Sequence, residues 1–163
     1  MSNPKVAVIS GFGINCELET MAAFEMAGAS AHRIHVNRLV NGDSNLENYQ
    51  IMAVPGGFSF GDHLGSGRLM GNRLRFGLRE QVREFVKARK PVIGICNGFQ
   101  VLVKMGLLPG DSEVSLTQTA SLALNDSGHY ENRWAVLEFD PDSPCIWTKG
   151  INRMRVPVRH GAG

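Results

Sequence analysis

The 163-residue sequence lacks the features that mark several classes of protein. Its three cysteines are odd in number and far apart, so they do not predict a disulfide framework. No apolar run approaches the roughly 18 residues that a membrane-spanning helix needs. The first apolar run is not followed by the small-residue cleavage site of a secretory signal. These absences predict a cytoplasmic protein with no membrane partner.

Motifs for binding nucleic acids, nucleotides or metals are scarce as well. The net charge of +2 is too small to indicate a nucleic-acid partner, and the arginines do not alternate with aromatic residues. Gly11-Phe12-Gly13 lacks the third glycine of a dinucleotide loop, and there is no P-loop motif. The cysteines and histidines do not have the spacing of zinc ligands. We therefore expect no metal and no other cofactor in this chain.

Short apolar runs alternate with helical patterns, which predicts an α/β fold with a mainly parallel sheet flanked by helices. The predicted strands are 6–9, 31–36, 51–54 and 91–95, the predicted helices are 16–27, 74–86 and 97–105, and 58–71 is an irregular glycine-rich loop. Leu18, Met21, Ala22 and Met26 form the expected apolar stripe of the first helix. Segments 114–124 and 134–139 are predicted strands of an antiparallel extension, within a single domain spanning 1–163.

Cys96 has the sequence context of a nucleophile. It follows the fourth predicted strand, precedes a helix, and has glycine two residues before and two residues after, at Gly94 and Gly98. This is the nucleophile-elbow pattern with sulfur in place of oxygen, and a thiolate is favoured at the start of a helix. The alternative is a buried core cysteine beside tightly packed glycines. Cys16 and Cys145 lack this context and are interpreted as ordinary structural cysteines.

A second pattern, Pro55-Gly56-Gly57, ends the third predicted strand. Glycines let a backbone N–H point into a cleft, and ligands bind at the carboxyl edge of open α/β sheets. The pair is interpreted as a second donor to an oxyanion, with a plain turn as the alternative.

Five segments together resemble the class I glutamine amidotransferases, and in particular the glutaminase subunits of phosphoribosylformylglycinamidine synthase. Gly-Ile-Cys-Asn-Gly-Phe-Gln is the signature of the class, and Pro-Gly-Gly-Phe-Ser-Phe-Gly-Asp is specific to the branch. The similar segments are 94–100, 55–62, 15–17, 125–134 and 157–161. The resemblance runs from Val6 to the last residue and implies a flavodoxin-like amidotransferase fold.

The resemblance also implies a mechanism. Cys96 would attack the side-chain amide of glutamine and form a thioester, releasing ammonia for a larger synthetase subunit. That subunit would use ATP and magnesium to make formylglycinamidine ribonucleotide for purine biosynthesis. Backbone N–H groups of Gly57 and Asn97 would form the oxyanion hole. The substrate-binding residues would be Gly56, Phe58 and Gln100.

The sequence departs from the family in one respect that matters for catalysis. A cysteine amidase needs a base and an acid, which the family supplies from a His-Pro-Glu stretch, and this sequence contains no His-Pro. We therefore expect a domain that lacks its C-terminal part, with weak or no glutaminase activity alone. Gly161-Ala162-Gly163 also replaces the usual Gly-Glu-Gly.

The five histidines are interpreted as surface or structural residues. His32 and His35 are three apart on a predicted strand and would face opposite sides. His63, in the glycine-rich loop, is the nearest to a substitute for the missing base. Two other functions stay open: a catalytically impaired module that only binds its synthetase, and another hydrolase with a cysteine elbow.

Overall fold

The computed structural model describes residues 3–163, and the chain divides into two compact units, Met1–Leu122 and Ala123–Gly163. The first unit contains strands β1 (Lys5–Ser10), β2 (Ser30–His35), β3 (Ile51–Val54) and β4 (Val92–Gly94). Its helices are α1 (Glu17–Met26), α2 (Val36–Val40), α3 (Arg68–Gly77), α4 (Arg79–Lys87) and α5 (Asn97–Lys104). The second unit contains strands β5 (Glu131–Glu138) and β6 (Arg153–His160).

The four strands of the first unit form a parallel sheet in the order β2-β1-β3-β4. The predicted α/β class, the parallel sheet and its four strands are thereby confirmed. Val36 is not part of β2, because the chain turns there into α2, a five-residue helix that the sequence pattern did not indicate. His35 caps this helix by accepting a hydrogen bond from the backbone N–H of Asn37 at 3.2 Å.

Both faces of the sheet are covered, which explains the continuous apolar runs of the strands. Alternate residues of β1 point to opposite faces, so Ala7 and Ile9 join one core cluster while Val6 and Val8 join another. The larger cluster lies beneath α3, α4 and α5. The smaller one is covered by Met21 and Phe24 of α1. The core therefore fixes the sheet from both sides and holds its carboxyl edge in place.

Of the apolar stripe predicted for the first helix, only Met21 packs against the core. Leu18 and Met26 are exposed, whereas Thr20 is buried and Met21 and Phe24 contact the smaller core cluster. The helix has apolar residues on every side, so their spacing did not decide which face would be buried. The less exposed face of α1 contains Glu17, Thr20 and Phe24, and it is displaced by about one residue towards the N-terminus from the predicted stripe.

The single helix predicted at 74–86 is also wrong, since two helices occupy this stretch. The first begins at Arg68, inside the predicted loop 58–71, and ends at Gly77, before Leu78, whose φ is −129°. Gly77 packs closely there, with Val40 Cγ2 2.9 Å from the position that a Cβ would take. Leu74, Leu78 and Val82 are all buried, so the apolar spacing continues across the break and conceals it.

The strand predicted at 114–124 does not form. Val114 and Leu116 have φ of 54° and 55°, which is outside the extended region, although both side chains are buried in the larger core cluster. The segment passes against Gly106, whose Cβ position would lie 2.6 Å from the carbonyl carbon of Leu116. Val114 and Leu116 are therefore both buried although the segment is not a strand.

In the second unit, β5 and β6 pair antiparallel as a separate two-stranded sheet. The predicted strand at 134–139 is thus confirmed except at Phe139, as part of the longer β5, and its partner β6 was not predicted. Pro157 lies opposite Trp134, and the guanidinium of Arg155 lies 4.9 Å from the centre of that indole ring. Within residues 3–163 no helix has the length and apolar character to cross a membrane.

Candidate functional site

Cys96 is at the turn between β4 and α5, with φ 53° and ψ −114°. This conformation is strained for a residue with a side chain. A Cβ at Gly98 would lie 1.8 Å from the carbonyl oxygen of Val54, and one at Gly94 would lie 2.7 Å from the carbonyl oxygen of Gly98. The predicted elbow is present, and both glycines are required because backbone occupies the space of their side chains. Cys96 itself is exposed.

The segment after β3 approaches the elbow closely. Gly56 is buried, and a Cβ there would lie 3.4 Å from Cys96 Cβ. Gly57 has φ 144°, and any side chain would meet Gly13 O at 2.5 Å. Close packing therefore requires glycine at position 57, whereas a methyl group at position 56 would meet its neighbours at ordinary contact distances. Phe58, the next residue, is exposed.

Gly57 and Asn97 each have a backbone N–H next to the elbow, on two different segments of the chain. Within residues 3–163, neither the N–H of Gly57 nor that of Asn97 donates to a main-chain carbonyl. Both residues adjoin the elbow, one through Gly56 and one as the first residue of α5. Two unpaired donors beside a nucleophile are what an oxyanion hole requires.

A buried side-chain network fastens the start of α5 to the glycine-rich loop. Asn97 is 1% exposed, and its Oδ1 accepts a hydrogen bond from the backbone N–H of Ser59 at 3.0 Å. Its Nδ2 donates to Asp62 Oδ1 at 3.2 Å and to Gln100 Oε1 at 2.9 Å. Asp62 also accepts from the backbone N–H of Gly67 at 3.3 Å. The network therefore fixes the loop against the helix that carries the elbow.

Replacing Asn97 with alanine is expected to destabilise the first unit by about 3 kcal/mol, because the N–H of Ser59 and the amide of Gln100 lose partners in a buried site. Urea unfolding followed by circular dichroism measures this. Asn41→Ala, at an exposed position, is the matched control and should change stability by less than about 0.5 kcal/mol. Equal stabilities of the two variants would contradict the role given to the network.

The loop after β1 is the third segment that borders the site, beside the elbow and the segment after β3. The backbone N–H of Phe58 donates to Gly13 O at 2.8 Å and that of Phe60 donates to Phe12 O at 2.7 Å. The N–H of Asn15 donates to Gly56 O at 3.4 Å. These bonds hold the loops after β1 and β3 together at the carboxyl edge of adjacent strands.

Cys16 follows this loop, at the N-terminal cap of α1. Its Sγ is 3.8 Å from the position that a Cβ of Gly56 would take. Burial, with smaller contributions from Glu19, Cys96 and Glu17, raises the pKa of the Cys16 thiol. Cys145 is in the second unit, where a hydrogen bond from the backbone of Trp147 lowers the pKa of its thiol.

The structure places the predicted site residues in one region of the first unit. Cys96, Asn97 and Gln100 are on the elbow and its helix, and Gly56, Gly57 and Phe58 are on the adjoining segment. Gln100 is buried, with its Oε1 bonded to Asn97. The roles of these six residues stay predictions.

The sequence pattern did not single out three other residues here: Ser59, Asp62 and Cys16. Ser59 is 1% exposed, and its hydroxyl has no hydrogen-bond partner among the described residues. Asp62 ties the loop to Asn97, as described above. All three belong to segments that carried the family resemblance, but their spacing gave no sign that Ser59 and Asp62 would bond to Asn97 or that Cys16 would lie near Gly56.

The histidines have separate surroundings. His32 contacts Ser30 Oγ and the ring of Tyr49, whereas His35 contacts Phe12 and Asn37, in keeping with their predicted opposite directions. The ring of His63 lies against Gly61. In the part of the chain that the structure describes, no group of three or more His, Cys, Asp or Glu residues is arranged to hold a metal ion.

Comparisons with known proteins agree with this geometry. The family model of the CobB/CobQ-like glutamine amidotransferase domain matches residues 3–163. The phosphoribosylformylglycinamidine synthase subunit PurQ of Dehalococcoides mccartyi is 45% identical over 163 residues, covering 100% of this chain and 63% of that protein. The subunit of the same name from Methanococcus maripaludis strain S2 is 43% identical over 160 residues, covering 98% of this chain and 58% of that protein.

Solved structures give the same result. A chain in the structure of PurLQS from Thermotoga maritima superposes with a TM-score of 0.77 at 27% identity, covering 99% of this chain and 68% of that chain. A glutamine amidotransferase from the same organism has a TM-score of 0.61 at 19% identity, covering 100% of this chain and 63% of that one, and shows the fold alone.

The chain spans less than two thirds of the length of these two curated relatives. The similarity nevertheless extends along its whole length and includes the elbow and the segment facing it. The chain belongs to the family of CobB/CobQ-like glutamine amidotransferase domains.

Proposed function

We propose that this chain is the glutaminase part of a phosphoribosylformylglycinamidine synthase. The observation that carries the proposal is the strained turn that holds Cys96 at the start of α5 beside Gly56 and Gly57. A thiol in this position is exposed, is supported by the helix N-terminus, and adjoins two backbone donors. Relatives at 45% and 43% identity bear the name of that synthase.

In the proposed reaction the Cys96 sulfur attacks the amide carbon of a glutamine side chain. The carbonyl oxygen becomes an oxyanion, which accepts hydrogen bonds from the N–H groups of Gly57 and Asn97. The C–N bond then breaks, the nitrogen takes up the proton that the Cys96 thiol has given up, and ammonia leaves a glutamyl thioester. Water hydrolyses the thioester to glutamate and restores the thiol. Gly56, Phe58 and Gln100 would line the position of the substrate.

The ammonia would pass to a larger synthetase subunit, with the likeness to a chain of PurLQS as support. We also propose that ATP and magnesium bind to that partner, as the resemblance to the family implies. We also propose that the protein works in the cytoplasm, in which reduced cysteines such as its three are usual.

Labelling with a diazo-ketone analogue of glutamine tests the proposal. The chain is treated with the analogue, with and without excess glutamine, and analysed by intact mass and peptide mapping. We expect one adduct, on Cys96, that glutamine prevents. Cys16 and Cys145 serve as internal controls, and Cys145→Ser should label like the wild type.

The other outcomes separate the alternatives. Labelling of Cys96 that glutamine does not affect would favour another hydrolase with a cysteine elbow. Absence of any adduct, together with binding to the synthetase, would favour a module that only binds its partner. Equal labelling of all three cysteines would mean that no glutamine pocket is formed in this chain.

A further inference from the structure

The side chains of Cys16 and Cys96 border the same small gap. This gap is the space that a side chain of Gly56 would fill. A Cβ built on Gly56 lies 3.4 Å from Cys96 Cβ and 3.8 Å from Cys16 Sγ, so one methyl group would contact both cysteines. No disulfide joins the two residues in this structure.

Each cysteine lies at the start of a helix, where hydrogen bonds fix its backbone. The carbonyl of Cys16 accepts hydrogen bonds from the backbone N–H of Thr20 at 3.1 Å and from its hydroxyl at 2.7 Å. The carbonyl of Cys96 accepts from the backbone N–H of Gln100 at 3.2 Å. The hydrogen bond from Asn15 N–H to Gly56 O connects the two helix starts through the intervening segment. Because these bonds fix both backbones, the disulfide proposed below would form by rotation of the two side chains about their Cα–Cβ bonds.

We propose that Cys16 and Cys96 form a reversible intramolecular disulfide when the protein meets a hydroperoxide. The disulfide would occupy the sulfur that the proposed glutaminase needs, so this consequence, unlike the cross-link itself, rests on the proposed function. Cys16 is then the resolving thiol of an oxidation that starts at Cys96.

The order of events follows from exposure and charge. Cys96 is exposed and begins a helix, which makes it the accessible thiol. Burial and the carboxylates of Glu19 and Glu17 raise the pKa of Cys16, so less of its thiolate is available to an oxidant. The first oxidation therefore takes place at Cys96.

The chemistry balances with hydrogen peroxide as the oxidant. The Cys96 sulfur attacks one peroxide oxygen, the O–O bond breaks, and water is released with formation of a sulfenic acid. The Cys16 sulfur then attacks the Cys96 sulfur and the S–O bond breaks. The departing hydroxide takes the Cys16 proton as a second water, leaving the disulfide. A dithiol reductant reverses the linkage by exchange.

Non-reducing peptide mapping tests the proposal on the whole chain. The protein is treated with hydrogen peroxide, remaining thiols are blocked with iodoacetamide, and the digest is analysed by mass spectrometry. We expect a linked pair of peptides containing Cys16 and Cys96, which dithiothreitol separates. A mixture of isotopically labelled and unlabelled chains should give no mixed pair, because the linkage is within one chain.

Two cysteine variants sharpen the test. Cys145→Ser should form the linked pair as the wild type does. Cys16→Ser should lose it, and its Cys96 should proceed to the sulfinic acid, since no resolving thiol remains. Serine can keep the hydrogen bond that Cys16 Sγ donates to Asn15 Oδ1 at 3.2 Å, so this variant is expected to fold.

Gly56→Ala places its methyl group in the gap at ordinary contact distances. Under the same oxidising conditions it should therefore give less linked peptide than the wild type. Sulfinic acid on Cys96 of the wild type with no linked pair would overturn the proposal. Pairing of either residue with Cys145 in equal yield, or linkage between chains, would overturn it too. The linked pair is read out by mass, so its absence is distinguishable from failure of the glutamine-protected labelling described above.

Discussion

Replacement of Cys96 by serine is expected to lower glutamate release by about 10³-fold or more, because the thioester can no longer form through a sulfur nucleophile. The side chain is exposed and the backbone conformation of residue 96 is compatible with serine as well as with cysteine. The stability of the first unit should therefore stay close to that of the wild type. The measurement is a coupled glutamate assay with the synthetase partner present.

Cys145→Ser is the matched control, since it removes an exposed thiol from the second unit. It should release glutamate at the wild-type rate. The rate of labelling by the diazo-ketone analogue gives a second comparison that does not need turnover, and Cys96→Ser should lose that labelling. Undiminished glutamate release or labelling in Cys96→Ser would rule out Cys96 as the nucleophile.

Gly98→Ala is expected to destabilise the first unit by about 3 kcal/mol or more. Alanine usually favours a helix over glycine by about 1 kcal/mol, so propensity alone predicts stabilisation at this position of α5. The added Cβ would however lie 1.8 Å from the carbonyl oxygen of Val54 and 2.9 Å from that of Pro55. Both obstacles are backbone at the end of β3, so relief requires α5 to move away from the sheet.

Urea unfolding followed by circular dichroism measures this effect. Tryptophan fluorescence is unsuitable, because both tryptophans, Trp134 and Trp147, are in the second unit. The control is Gly56→Ala, whose Cβ meets nothing closer than 3.4 Å and should change stability by less than about 1 kcal/mol. A Gly98→Ala variant as stable as this control would contradict the packing described for the elbow.

The strands and the elbow could be predicted because local sequence determines them. Apolar runs such as 6–9 and 51–54 have few alternatives to a buried parallel strand, and the glycines around Cys96 are needed by the turn itself. The direction of the C-terminal hairpin was likewise predicted, although only one of its strands was recognised.

The features that escaped prediction depend on contacts distant in sequence. Helix α1 could bury more than one face, and the sheet decides which. The positive φ of Val114 and Leu116 is stabilised by burial in the larger core cluster, which their alternation did not distinguish from a strand. Cys16 comes close to Gly56 and the elbow only because β1, β3 and β4 are neighbours in that order, and no local pattern specifies this order.

The backbone bonds between the loops after β1 and β3 have a consequence for protein engineering and for divergence of the family. Phe12 and Gly13 are each paired with a residue of the other loop, so an insertion or deletion in one loop would shift its register against the other and displace Gly57. Length changes in the two loops should therefore arise together. A chimera that imports the loop after β1 from a relative should import 55–60 with it.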